Sequence, residues 1–167
     1  MPAVPSTCPL PSRRWPRRAL GLLGVLAWGL WAPGSQAGSA ELLVIVNAQN
    51  PVKRLSASEL RPIFQTTKRK WDSGDLVEPV NLPEKSLPRQ LFDKAVLGFD
   101  AETSLRYWID RKVRGEARPP KKLTTPAAVV AHVSSTPGGI GYVPAEGTLA
   151  AGVRVVARVS GDQVKSP

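Results

Sequence analysis

From residue 41 onward, the apolar positions of this chain alternate between short unbroken runs and stripes with helical spacing. The run at 41–46 is almost continuously apolar and rich in β-branched residues, which predicts a strand buried on both faces of a sheet. Shorter apolar stretches predict three further strands, at 77–82, 140–143 and 153–159. The glycine within 140–143 indicates a close approach of another part of the chain.

Between these strands, apolar residues recur three and four positions apart, which predicts four helices. The helices begin after side chains that can accept a hydrogen bond from a free backbone N–H group: Ser56, Ser86, Asp100 and Thr125. Glu59 completes a capping box with Ser56, and Gly98 and Gly115 end the second and third helices. Strands that alternate with helices in this way predict an α/β fold.

Each helix should bury an apolar side. In the first helix, this side is Leu60, Ile63 and Phe64, and in the fourth it is Val129, Val130 and Val133. In the second helix, the inward positions are Leu87, Leu91, Phe92, Ala95 and Val96. In the third helix, they are Leu105, Trp108 and Ile109. The polar side of the second helix carries Arg89, Asp93 and Lys94.

Residues 1–40 have the pattern of a secretory signal peptide. Four arginines precede an apolar run at 19–31, and small or polar residues follow, with cleavage positions after Ala37 or Ala40. Pro16 stands where a twin-arginine signal usually has an apolar residue, so we favour the general secretory route over the twin-arginine route. The alternative is a retained N-terminal anchor. We therefore expect a periplasmic or secreted protein.

The rest of the chain is long enough for one domain at 41–160, followed by a disordered tail at 161–167. The protein has a formal net charge of +10. Four of its basic residues lie in the predicted signal, and the exported domain stays basic without them. A basic surface favours acidic partners or anions, but nucleic acid is a poor candidate partner for an exported protein.

Residues that usually carry catalysis or hold metals are scarce in this sequence. Cys8 is the only cysteine and lies before the apolar run, so the exported chain has no disulfide, thiol nucleophile or cysteine metal site. His132 is the only histidine, and no second His or Cys stands near it in the sequence. We also find no Ser/His/Asp set and no nucleotide-type glycine loop. We predict no enzyme activity, no metal and no cofactor.

The turn before the second helix is the main candidate site. A helix N-terminus has unpaired N–H groups and a partial positive charge, and Ser86 and Arg89 add a hydroxyl and a guanidinium there. Lys68 and Arg69, in a basic loop beside Trp71, offer further cations. We predict an anion site at these four polar residues. The alternatives are that Ser86 only caps the helix, that Arg89 is a solvated charge, and that the basic loop is a solvated rim over a packed Trp71.

Several segments, in this order, resemble one lobe of the substrate-binding protein of the phosphate ABC transporter, a type 2 periplasmic binding protein. The segments are 46–52, 55–60, 63–64, Trp71, Ser86 with Arg89 and Phe92, 107–108, and 137–143. The resemblance implies a single lobe with a mixed sheet flanked by helices, and an oxyanion at the Ser86 helix. Leu87 and Pro88 depart from the family's Ser-Gly-Thr pattern, and this departure removes hydrogen-bond donors.

The resemblance also implies a function. We expect an exported, non-catalytic module related to the binding or uptake of inorganic phosphate or another oxyanion. The chain has room for one lobe only, so a homodimer could rebuild the cleft, or the lobe could instead present its surface to a membrane transporter or receptor. The alternative is an interaction or sensory domain for a membrane transporter, porin or receptor, with a degenerate anion site.

Overall fold

The computed structural model describes residues 41–116 and 118–167. The predicted signal peptide at 1–40 lies outside the described residues. No helix within the two described ranges is long and apolar enough to cross a membrane.

A six-stranded mixed sheet forms the centre of the structure. In chain order, the elements are β1 Glu41–Asn47, α1 Ala57–Phe64, β2 Glu78–Asn81, α2 Leu87–Phe92 with a π-helical segment at Asp93–Leu97, α3 Ala101–Val113, β3 Lys121–Lys122, α4 Pro126–Ser135, β4 Gly139–Pro144, β5 Val153–Ser160 and β6 Gln163–Lys165. The strand order is β3-β2-β4-β1-β5-β6. β2 runs parallel to β3 and β4, whereas β1 is antiparallel to β4 and β5. The predicted α/β class with a mixed sheet is therefore confirmed.

Helices cover both faces of the sheet, as two neighbouring residues of β4 show. A Cβ atom at Gly141 would lie 2.6 Å from Val129 Cγ1 on α4 and 2.8 Å from Val80 Cγ2, so only glycine fits under this helix. Tyr142 points to the opposite face, where its ring stacks on Phe92 with centroids 3.9 Å apart. The predicted close approach at this strand is confirmed.

The predicted helix starts are also confirmed, but Ser86 makes no side-chain capping bond, because its hydroxyl donates to the carbonyl of Pro83 instead. The backbone N–H of Ser56 donates to Glu59 Oε2 at 2.8 Å. Asp100 Oδ1 accepts from Thr103 N at 2.7 Å, and Thr125 Oγ1 accepts from Ala128 N at 3.1 Å. Each contact satisfies a donor that the helix itself leaves unpaired.

The predicted inward face of α3 is wrong for Leu105 and Ile109, whereas Trp108 is half-buried. Leu105 and Ile109 are 61% and 53% exposed, and the buried residue of this helix is Ser104. The Ser104 hydroxyl donates to the buried carboxylate of Asp93 at 3.1 Å, so the polar side of α3 turns inward to satisfy that group. Leu87 of α2 was also predicted inward and is 60% exposed.

The C-terminal residues differ from the disordered tail that we expect from the sequence. Gln163–Lys165 forms β6, with Val164 opposite Val159 of β5. The two strands are joined by Gly161 and Asp162, and Gly161 has a φ of +57°. This positive φ suits a tight hairpin turn, so the chain can reverse and add an edge strand to the sheet.

Candidate functional site

A cavity of about 520 Å³ lies between β2, α2, α3 and the segment that leads into β3. Its polar wall is formed by Asn81, Arg89, Asp93 and Ser104. Its apolar wall includes Leu105, Trp108, Pro119 and Pro120. We call this space the Arg89 cavity.

Arg89 and Asp93 form a buried ion pair on the wall of this cavity. Arg89 is only 5% exposed, and its Nε donates to Asp93 Oδ2 at 2.7 Å. Ser104 Oγ donates to the same oxygen. The two charged residues are one helical turn apart, where α2 passes into the π-helical segment, a kind of irregularity often found at functional sites. The guanidinium is therefore fixed in place on the cavity wall.

Burial controls the protonation of this pair. Burial raises the pKa of Asp93 above its ordinary value, and this effect is larger than the opposing effects of the Arg89 charge and the hydrogen bonds from Arg89 and Ser104. The carboxyl group therefore holds a proton more readily than an exposed aspartate does.

Three other polar atoms of the cavity residues have no partner. Within residues 41–116 and 118–167, the acceptors Asn81 Oδ1 and Asp93 Oδ1 and the donor Trp108 Nε1 are buried without a hydrogen bond. Buried polar atoms are normally paired in folded proteins, so each unpaired atom calls for an explanation. Asn81, Asp93 and Trp108 all line the Arg89 cavity, so a solute bound there would lie beside the residues that carry these atoms.

The remaining charges of the cavity lie at its mouth. Lys122 Nζ is 3.4 Å from Glu84 Oε2, and both side chains are more than half exposed. The pKa of Glu84 is lowered, first by a hydrogen bond from its own backbone and less by Lys122, so this carboxylate stays charged. With Arg89 and Asp93, the cavity is lined by two positive and two negative groups.

A second, smaller pocket of about 210 Å³ is lined by Thr66, Lys68, Arg69, Val77, Pro79 and Arg118. Three of these residues are cations, and none is acidic. We call it the basic pocket. Lys68 is 3.1 Å from Asp72, outside the lining, and this carboxylate is 91% exposed. The basic pocket therefore has an excess of positive charge that is open to water.

The loop of the basic pocket is held by a buried tryptophan. Trp71 is 2% exposed, and its Nε1 donates to the carbonyl of Gly138 at 3.0 Å. The carbonyl of Pro62 accepts from the backbone N–H groups of Thr67 and Lys68. The alternative prediction that Trp71 packs under the loop is therefore confirmed.

The four predicted site residues lie in three places. The hydroxyl of Ser86 donates to the carbonyl of Pro83 at 2.6 Å, and Ser86 lines neither pocket. Arg89 lines the cavity and is buried, so the interpretation of it as a solvated charge is wrong. Lys68 and Arg69 line the basic pocket.

Sequence reasoning missed Asn81, Asp93, Ser104 and Trp108 as cavity residues. The spacing of Arg89 and Asp93 is visible in the sequence and could have indicated a pair. Ser104 gave no comparable signal, because it meets Asp93 only after α3 folds back over α2. Of the residues that the structure describes, no three His, Cys, Asp or Glu side chains are grouped to hold a metal ion.

No protein-family model and no curated protein matches this chain. Solved structures do match it. An ABC-type phosphate transport receptor from Vibrio cholerae superposes with a TM-score of 0.55 at 16% identity, over 70% of this chain and 46% of its own. A phosphate ABC transporter substrate-binding protein from Clostridium perfringens, solved with bound phosphate, superposes with a TM-score of 0.56 at 20% identity. The match covers 70% of this chain and 45% of that protein. PstS from Borrelia burgdorferi superposes with a TM-score of 0.54 at 16% identity, over 70% of this chain and 47% of that protein.

These likenesses define the class of fold. The chain has the fold of one lobe of a phosphate-transport binding protein, as the resemblance in its sequence implies. It spans a little under half the length of each of these proteins. At such low identity, the likeness shows the fold alone.

Proposed function

We propose that this protein is an exported, non-catalytic solute-binding module that holds a small solute by an oxyanion group in the Arg89 cavity. The observation that carries the proposal is the buried guanidinium of Arg89 on the wall of a ligand-sized cavity. Guanidinium groups bind oxyanions through paired N–H donors, and the bond to Asp93 uses only one of the five. The other donors can serve a solute.

The fold neighbours support a transport context for this proposal. Their descriptions name phosphate transport, and one was solved with phosphate bound. Inorganic phosphate is therefore the first oxyanion to test, and delivery to a membrane transporter is the process that we propose. The pattern of residues 1–40 supports export to the periplasm.

Calorimetric titration with phosphate, with sulfate as the comparison anion, tests this proposal. Arg89→Lys keeps the charge beside Asp93 but removes the planar donor fork, and we expect it to weaken binding at least about tenfold. Arg69→Ala removes a cation from the basic pocket and should leave the affinity unchanged. Circular dichroism and thermal unfolding check that both variants fold.

Two results would contradict the proposal. Loss of binding in Arg69→Ala with full binding in Arg89→Lys would assign the oxyanion to the basic pocket. No saturable binding of any oxyanion-bearing probe, including the organic probes used below, would remove the solute-binding function.

A second candidate function is an interaction or sensory module for a membrane transporter, porin or receptor. It is favoured by α3, where Leu105, Ile109 and Val113 are spaced four residues apart and are 61%, 53% and 81% exposed. An exposed apolar row of this kind is typical of an interaction surface. Photocrosslinking from position 109 in intact cells would capture a membrane protein if this candidate is right, whereas crosslinking from the exposed Lys53 would not.

A further inference from the structure

We infer that the Arg89 cavity takes a zwitterionic organic solute, an amino-carboxylate with an apolar body, rather than a bare inorganic oxyanion. The inference rests on the proposed function, because it uses the same cavity and the same guanidinium. It adds the chemical class of the solute.

The size and the walls of the cavity favour an organic solute. Its volume of about 520 Å³ lies within the range of pockets that bind small organic molecules. The apolar part of the lining includes Leu105, Trp108 and two prolines. A bare oxyanion would leave these side chains in contact with water, whereas an apolar body would cover them.

The unpaired polar atoms require both kinds of hydrogen-bonding group. Arg89 and Trp108 Nε1 offer donors, which a carboxylate satisfies. Asn81 Oδ1 and Asp93 Oδ1 offer acceptors, which an ammonium group satisfies. Sulfate has no proton to donate and monohydrogen phosphate has one, so neither can satisfy both acceptors; dihydrogen phosphate has two, but it has no apolar body to cover the rest of the wall.

The charges of the cavity lead to the same solute class. Arg89 is already neutralised by Asp93, and Lys122 is paired with Glu84. A dianion transferred from water into this cavity would find no excess positive charge to compensate for its lost hydration. A zwitterion carries one charge of each sign, so its carboxylate and ammonium can face Arg89 and Asp93 without changing the balance.

Titration of the protein with L-leucine and three analogues tests the inference. Each analogue lacks one part: glycine lacks the apolar body, 4-methylpentanoate lacks the ammonium, and 3-methylbutylamine lacks the carboxylate. We expect saturable binding of leucine and at least about tenfold weaker binding of each analogue.

Matched variants assign these contributions to residues. Asp93→Asn should weaken leucine binding at least about tenfold more than it changes 4-methylpentanoate binding, because any change at Arg89 affects both ligands whereas the ammonium is present in leucine alone. If that variant fails to fold, Leu105→Ser, at an exposed position, gives a second test. It should weaken the binding of leucine and leave the binding of glycine unchanged. Arg69→Ala in the basic pocket is the control for both.

The outcomes separate this inference from the proposed function. Arg89-dependent binding of phosphate without binding of leucine would overturn the inference and leave the proposed function in place. Equal affinities for leucine and 4-methylpentanoate would likewise exclude a role for the ammonium. Failure of leucine and of phosphate alike would overturn both proposals.

Discussion

The Arg89 cavity and the basic pocket hold their cations in opposite ways. In the cavity, a guanidinium is buried, bound to a carboxylate 2.7 Å away and balanced by equal numbers of charges. In the basic pocket, Lys68, Arg69 and Arg118 surround a smaller, open space without an acidic residue in its lining. Positive charge alone would therefore select the basic pocket, whereas the solute site that we propose is the Arg89 cavity.

The difference matters because water screens the two groups unequally. Exposed charges interact weakly and gain little from a single partner, whereas buried charges depend strongly on every neighbour. We therefore expect the cavity to determine selectivity and stability, and the basic pocket to contribute a general attraction for anions. Four predictions test this contrast.

The largest expected effect is on stability. Asp93→Ala should lower the free energy of unfolding by about 3–5 kcal/mol, because it leaves the buried Arg89 charge without a partner. Asp72→Ala makes the same chemical change in the exposed pair with Lys68 and should cost less than about 1 kcal/mol. Urea unfolding of both variants measures the difference, and equal losses would contradict the contrast between the two regions.

The second prediction compares two tryptophans, one under the basic loop and one in the cavity. Trp71→Phe removes the hydrogen bond to Gly138 and replaces a buried indole with a smaller ring, so it should destabilise the protein by about 1–3 kcal/mol, although the Gly138 carbonyl keeps its bond from the backbone N–H of Glu78. Trp108→Phe removes an indole N–H that has no partner among the described residues, so its cost should be smaller. A larger loss for Trp108→Phe in chemical denaturation would show that its N–H is paired.

The third prediction concerns salt. Anion binding at the basic pocket should weaken severalfold between about 0.01 M and 0.15 M ionic strength, because the screening length falls from about 30 to 8 Å. Binding in the Arg89 cavity should change less, since its contacts are short and buried. Titrations of Arg89→Lys and Arg118→Ala at both ionic strengths measure the two sites separately, and identical salt dependence would remove the distinction.

The smallest expected effect is on pH dependence. Burial raises the pKa of Asp93 in the folded state, so the folded protein binds this proton more tightly than the unfolded chain does. The stabilisation from this proton is present below the ordinary aspartate pKa and is lost as the pH rises through the raised value. The free energy of unfolding of the wild type, measured by urea titration relative to Asp93→Asn, should therefore fall as the pH rises between the ordinary and the raised pKa of Asp93. A free energy that rises with pH over that interval would show that the pKa is lowered instead.

Features that depend on neighbours in sequence could be predicted from the chain. Ser56 with Glu59, Asp100 and Thr125 each begin a helix, because a capping side chain needs only the next three residues. β1 was recognisable because a strand buried on both faces must be apolar at nearly every position.

The candidate site was less predictable, because it depends on how distant elements pack. The apolar spacing of Leu105 and Ile109 could not show which side of α3 faces inward, and the buried residue of this helix is Ser104, which bonds to Asp93. Arg89 was identified as a site residue, but its burial follows from the position of α3. Lys68 and Arg69 were grouped with Arg89 by charge, although the fold places them in another pocket.

The position of β1 in the middle of the sheet has a consequence for how the protein folds. Leu42, at the start of the described chain, lies opposite Pro144 and Val159 near its end. Closing such long loops delays the central pairings, and non-local contacts of this kind are typical of slow folding. While the chain emerges from the N-terminus onward, the apolar β1 has no sheet partner until β4 and β5 have emerged, so it stays accessible to chaperones and proteases until then.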